Sequence, residues 1–179
     1  MGVSLQTVAI YLAEGVQLEL AEAAGEALER ELGLATKTGP PLALPPEAFD
    51  AARGQYRAEL VLAALPAEPG AFLALGLVAV DLYTPGLNFI FGMAAGARAL
   101  VSTARLGDGA AARSGRALFL RRLQTEVVHE VGHCLGLRHC RDPHCVMFFS
   151  NTLADTDRKG PALCDQCRAK LATASRRAV

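Results

Sequence analysis

The chain has 179 residues, 51% of them hydrophobic and 20% charged, a size and balance suited to one globular domain with a sizeable core. Its 18 basic and 18 acidic residues cancel, and the arginines are dispersed, which argues against nucleic acid as a partner. The longest apolar runs, around Val61–Leu65 and Ala71–Val80, fall far short of the roughly 20 residues that a membrane helix needs.

Met1–Tyr11 has neither a charged n-region nor a cleavage-site pattern, so export is not expected and the chain is placed in the cytoplasm. Leu5–Leu12 alternates loosely around Val8 and Ile10 and suits a first strand. Glu14–Leu32 places Val16, Leu18, Leu20, Ala23, Ala24, Ala27 and Leu28 at helical spacing among glutamates, and Gly33 stops it. Thr36–Leu44 is short and Pro-rich, so any strand there ends early. Tyr56–Leu65 reads as a second helix. Three strands follow, Leu75–Tyr83, Asn88–Met93 and Arg98–Ala104, with the turn Thr84-Pro85-Gly86 separating the first two. Gly115–Leu137 is helical again, with Leu118, Leu120, Leu123, Val127, Val128, Val131 and Leu135 forming a broad apolar surface. Beyond Leu137 the sequence is irregular until a last helix begins near Cys164.

Chemistry concentrates in His129-Glu130-Val131-Gly132-His133-Cys134-Leu135-Gly136-Leu137-Arg138-His139. Residues four apart share a helix face, so His129 and His133 can offer imidazole nitrogens to one metal ion. Glu130 can reach a metal-bound water without ligating the metal. Gly136 falls where the helix must stop, because glycine adopts positive φ without steric cost, and the turn brings His139 back as a third ligand. Three protein nitrogens leave a coordination position for water, the mark of a catalytic zinc. Three of the four histidines fall into this one frame, which ordinary core or surface histidines would not do.

Cys140, Cys145, Cys164 and Cys167 form C-x4-C and C-x2-C pairs. In a secreted chain they could make two disulfides; without an export signal they read better as thiolate ligands of a second zinc. Four thiolates close the tetrahedron, so that site is structural. The fifth cysteine, Cys134, reads as a small buried hydrophobe and His144 as a surface residue; Glu126, one turn before His129, could hydrogen-bond toward the site but reads rather as part of a solvated helix face.

The motif His129–His139 is that of the metzincin metallopeptidases, which add a methionine turn below the zinc, and Met147 follows at a suitable distance. The continuation through Cys140, Cys145 and Met147 to Cys164-Asp165-Gln166-Cys167 resembles the archaemetzincins (archaelysins), as do Asp81-Leu82-Tyr83, Asn88-Phe89 and Phe91-Gly92. The resemblance implies a compact single-domain α/β metzincin-like fold: a mixed twisted sheet of about 4–5 strands packed on helices, an active-site helix and a zinc-pinned C-terminal segment. Residues 1–179 are then one metallopeptidase domain, with 1–137 carrying sheet and active-site helix and 138–179 the methionine turn and cysteine site. It also implies two zinc ions, one on His129, His133 and His139, the other on the four cysteines. The stretch Asn88–Met93 corresponds to the edge strand that pairs with substrate backbone. Many secreted metzincins carry a tyrosine two residues after the methionine; here Phe149 stands there and offers no hydroxyl.

The expected reaction is zinc-assisted hydrolysis of peptides or small proteins, with Glu130 as general base and then general acid. A monomer is expected. Amino- and endopeptidase specificity both remain open. A two-zinc scaffold without appreciable peptidase activity is the competing class, and the intact Glu130 speaks against it. Hydrolysis of a non-peptide amide would use the same site with a different pocket.

Overall fold

In the computed structural model, residues 6–66, 70–107 and 113–177 are described. Strand β1 (Thr7–Leu12) is the first described element and lies within the expected strand Leu5–Leu12, of which Leu5 falls outside the described residues; it pairs in parallel on both sides, with β2 (Ala35–Thr38) and β5 (Leu73–Val78). Between β1 and β2 runs helix α1 (Leu18–Leu32), ended by Gly33 at φ 66°, where the Leu34 amide reaches back to Leu28 O at 3.3 Å. Strand β8 (Arg98–Ser102) extends the sheet in parallel beside β5, and β7 (Gly92–Ala95) closes it as an antiparallel edge, giving the order β2-β1-β5-β8-β7.

The sheet is buried on both faces, and the period of two shows which residues go where. Val8, Ile10, Leu75, Leu77, Ala99 and Val101 pack with α1 and with α3 (Arg113–Cys134). Ala9, Tyr11, Ala74, Val78 and Leu100 pack on the opposite face against α2 (Ala58–Ala64) and the chain around Leu42. Helix α3, the predicted long helix, lies beside α1 and crosses over β7 and β8. Its residues Leu123, Val127, Val128 and Val131 are completely buried.

Beyond shifts of a few residues at element ends, the structure departs from expectation in the following places. Tyr56 belongs to β4 (Gln55–Arg57), which with β3 (Phe49–Asp50) and β6 (Leu82–Tyr83) makes a small second sheet; the helix expected from Tyr56 starts only at Ala58. The expected strand Leu75–Tyr83 is split into β5 and β6, because Asp81 leaves the main sheet to receive Gln55 Nε2 at 2.9 Å and the guanidinium of Arg105. Asn88–Phe91 runs ahead of the edge strand as a loop: Arg53 holds the carbonyls of Leu87 and Asn88, Gln55 that of Asn88, and Ile90 makes a lone bridge to Leu82, so β7 itself begins only at Gly92. Finally, a short helix α4 (Leu153–Lys159) interrupts the segment expected to be irregular, before the last helix α5 (Asp165–Arg177). Its start is a capping box in which Thr152 Oγ1 accepts the Asp155 amide while the Asp155 carboxylate accepts the Thr152 amide. Among the described residues no helix is long and apolar enough to cross a membrane.

Candidate metal centre

Helix α3 presents His129 and His133 on one face, as four-residue spacing requires; their Nε2 atoms are 3.1 Å apart and their rings meet edge-on. The helix then ends at Gly136, φ 85°, where the Gly136 amide donates to His133 O at 2.9 Å and the Leu137 amide to Gly132 O at 3.0 Å. That pair of reach-back bonds is a Schellman ending, and it reverses the chain. The reversal carries the His139 ring to 4.8 Å from that of His133 and 5.4 Å from that of His129. One ligand atom from each of the three lies within 4.8 Å of the others. His129 is buried, His133 half-buried and His139 exposed, so the group faces solvent on the His139 side.

The outer ring nitrogens meet main-chain acceptors: His129 Nδ1 lies 2.7 Å from Val146 O, and His133 Nδ1 lies 2.8 Å from Leu137 O. A carbonyl can only accept, so each Nδ1 carries the hydrogen and each Nε2 keeps its lone pair. Burial lowers the pKa of all three imidazoles, that of His129 furthest, helped there by the Lys159 ammonium. Neutral imidazole at pH 7 is the form that binds metal.

Glu130 is buried beside this group and packs on β7. A Cβ at Gly92 would stand 2.7 Å from Glu130 Cγ and 2.8 Å from Oε1, so the carboxylate occupies room that only glycine leaves. In the metal-free chain its pKa is pushed up to about 8, by burial first and then by the Glu126 carboxylate, against the pull of Lys159. A dication beside it would reverse that shift.

The second cluster gathers Cys140, Cys145, Cys164 and Cys167, their sulfurs all within 4.8 Å of one another. All five cysteines are free thiols, and Cys140 Sγ and Cys164 Sγ stand 3.8 Å apart, well beyond the roughly 2.05 Å of a disulfide. The Cys164 amide points at Cys145 Sγ at 3.4 Å. Four thiols at this spacing suit a tetrahedral ion of borderline softness, and three neutral imidazoles suit the same ion with a place to spare.

A turn links the clusters. Cys140 N donates to Met147 O at 2.8 Å and Val146 N to Ala162 O at 2.8 Å, which lays the methionine turn beneath α3. Met147 is completely buried, among Val128, Leu137, Cys145 and Cys167. Cys134 packs against the main core and donates its thiol to Arg98 O at 3.3 Å, but it is half-buried rather than buried as expected; His144 is exposed, in line with its reading as a surface residue. Phe149 is 45% exposed and tilts its ring over His139, 5.0 Å between centroids.

Glu126 departs from expectation. It is buried, not solvated, because α4 covers it: Thr156 Oγ1 donates to Glu126 Oε1 at 2.9 Å and Lys159 Nζ lies 3.3 Å from the same oxygen. Neither Lys159 nor α4 was anticipated. The available signal was Thr152-Leu153-Ala154-Asp155, a capping box with aspartate in place of the usual glutamate.

The model of peptidase family M54 matches residues 47–173. The archaemetzincin of Methanopyrus kandleri is 46% identical over 127 residues, covering 69% of this chain and 70% of that protein. That of Pyrobaculum aerophilum is 46% identical over 129 residues, covering 69% and 76%. A crystal structure of archaemetzincin from Methanopyrus kandleri superposes with a TM-score of 0.87 at 35% identity, covering 97% of each chain. One from Archaeoglobus fulgidus, complexed with malonate, gives 0.80 at 34% identity over 92% of this chain and 99% of that one. With that likeness over nearly the whole fold, and a histidine group and a cysteine group each close enough to hold a metal ion, the chain belongs to peptidase family M54, the archaemetzincins, and is a zinc metallopeptidase.

Proposed function

We propose that His129, His133 and His139 hold the catalytic zinc, that Cys140, Cys145, Cys164 and Cys167 hold a structural zinc, and that Glu130 is the general base and acid of peptide-bond hydrolysis. The observation that carries this reading is the contrast between the two donor sets. The three neutral nitrogens open to solvent at His139 beside a buried carboxylate, whereas the four sulfurs form a closed set.

Zinc, when bound, polarises the scissile carbonyl and lowers the pKa of its water toward about 7. Glu130 takes the proton of the attacking water and delivers it to the leaving amine. Its burial against Gly92 keeps the carboxylate in a single place and out of bulk water. Among the described residues β7 is the last strand of the sheet, and its outer edge would offer main-chain hydrogen bonds to an extended peptide alongside Glu130. With a phenyl ring at Phe149, no hydroxyl stands beside His139 from that position, so charge developing on the scissile oxygen would have to be met by a bound zinc together with donors other than residue 149. The cysteine site, in a segment with few large apolar residues, supplies folding free energy that keeps Met147 and Val146 O in place under α3.

Zinc counting tests the division of labour. The loaded protein should hold two equivalents, and a mild chelator should remove the solvent-facing one first, abolishing cleavage of a peptide library until one equivalent is restored. Cleavage that survives loss of the first zinc would overturn the assignment.

A further inference from the structure

An ion pair lies buried behind His129, and the hydrolytic chemistry makes no use of it. Lys159, the last residue of α4, has a side chain with no solvent exposure. Its Nζ is 3.3 Å from Glu126 Oε1 and 3.2 Å from Phe148 O. Glu126 sits one turn before His129 on α3, and Phe148 directly follows Met147. The ammonium therefore ties the active-site helix to the methionine turn from behind.

Lys159 Nζ also stands 3.3 Å from His129 Nδ1. Were it to donate to that nitrogen, the ring hydrogen would move to Nε2 and block a metal there. The 2.7 Å contact of Nδ1 with Val146 O excludes this, because a carbonyl so close needs a donor. Lys159 thus gives its hydrogens to Phe148 O and Glu126, and its charge is set beside the outer edge of His129. A cation there repels a metal dication, and Glu126 cancels it. Buried ion pairs are seldom more stabilising than apolar residues of like volume, so packing alone does not account for this one.

We propose that Lys159, neutralised by Glu126, is a positioning residue of the metal site: it anchors Phe148 O so that Val146 O stays on His129 Nδ1 and keeps the lone pair of Nε2 on the metal side. The inference rests on the three-histidine site being the zinc site, and it requires no statement about the substrate.

The test is competition for zinc by a chromophoric chelator, with cobalt(II) spectra, on wild type, Glu126→Gln, and the charge-free double variant Lys159→Met/Glu126→Leu. The double variant leaves no buried charge unpaired and so remains foldable where Lys159→Met alone would not. At the three-histidine site it should bind zinc about 10-fold more weakly or worse, as losses of outer partners do, with the cysteine site unchanged as an internal control. Cobalt ligand-field bands from the histidine site should shift while the thiolate charge-transfer bands stay put. Glu126→Gln, which leaves the ammonium uncompensated, should also weaken only the histidine site. Zinc affinity within about threefold of wild type in the double variant, with an unchanged cobalt spectrum, would overturn the proposal. A uniform loss at both sites would do the same, since it marks a general packing role. Because the readout is metal binding, it stands or falls separately from peptide cleavage, and a Glu130→Gln background serves equally well.

Discussion

Replacing Gly132 with alanine sets two effects of known size against each other. Alanine in a helix interior is favoured over glycine by about 1 kcal/mol, so with open space the change would stabilise. The space is not open: a Cβ at 132 would meet Met147 Sδ at 2.7 Å, Cε at 3.3 Å and Leu137 Cδ1 at 3.6 Å. Met147 is completely buried and cannot swing into solvent, so the thioether must shift within a packed cluster. Overpacking of this kind costs about 1–3 kcal/mol, leaving Gly132→Ala destabilised by up to about 2 kcal/mol. In a Met147→Ala background the collision disappears, and the same change should stabilise by up to about 1 kcal/mol. The assay is a double-mutant cycle by urea unfolding at fixed free zinc, because bound metal contributes to the midpoint. A stabilising effect of equal size in both backgrounds would refute the packing of Met147 beneath α3.

Gly92→Ala places a Cβ 2.7 Å from Leu100 O, which the sheet holds, and 2.7 Å from Glu130 Cγ, so the carboxylate must give way. We expect roughly a 10²-fold fall in kcat with both zincs retained, the usual consequence of a misplacement near 1 Å; unchanged kcat would show that Glu130 does not act from this place. Cys145→Ser should lower zinc from two equivalents to one and open the segment from Cys140 to Cys164 to limited proteolysis, whereas retention of both zincs would contradict the four-thiolate site. For Asp81, burial raises the pKa, but hydrogen bonds from Arg105 and Gln55 and the arginine charge outweigh it, so the net shift is downward. A folded-state pKa below the unfolded one stabilises above the unfolded value, near about 3.9, and that contribution vanishes as pH falls through the folded value. The urea midpoints of wild type and Asp81→Asn should therefore differ most at neutral pH and converge as pH falls through the lowered folded-state pKa; a pH-independent gap would mean that charge is not what Asp81 contributes.

That the three histidines come together, and the four cysteines likewise, was legible because the determinants of both groups are local. His129 and His133 need only helical spacing, Gly136 only a positive φ, and the cysteines only two short-range pairs closed by one chain reversal. The alternation of Val8, Ala9, Ile10 and Tyr11 likewise reported a strand, though not that both of its faces are buried. What escaped depends on partners far apart in sequence. Glu126 looks like any helical glutamate until Lys159 and Thr156, thirty or more residues later, fold over it. The start of β7 depends on Arg53 and Gln55 holding the carbonyls of Leu87 and Asn88, which no periodicity near Asn88 encodes. Tyr56 reads as helical by its neighbours, and Phe49 and Leu82 draw it into a strand instead.

The most direct measurement compares peptide-library cleavage by the zinc-loaded wild type with that by Glu130→Gln at matched zinc content. The wild type should cut, and the variant should keep both zincs and cut at least about 10²-fold more slowly, the least expected for losing a general acid–base. Equal cutting by the two would remove Glu130 from the mechanism, and no cutting by either with both zincs bound would contradict peptide hydrolysis itself.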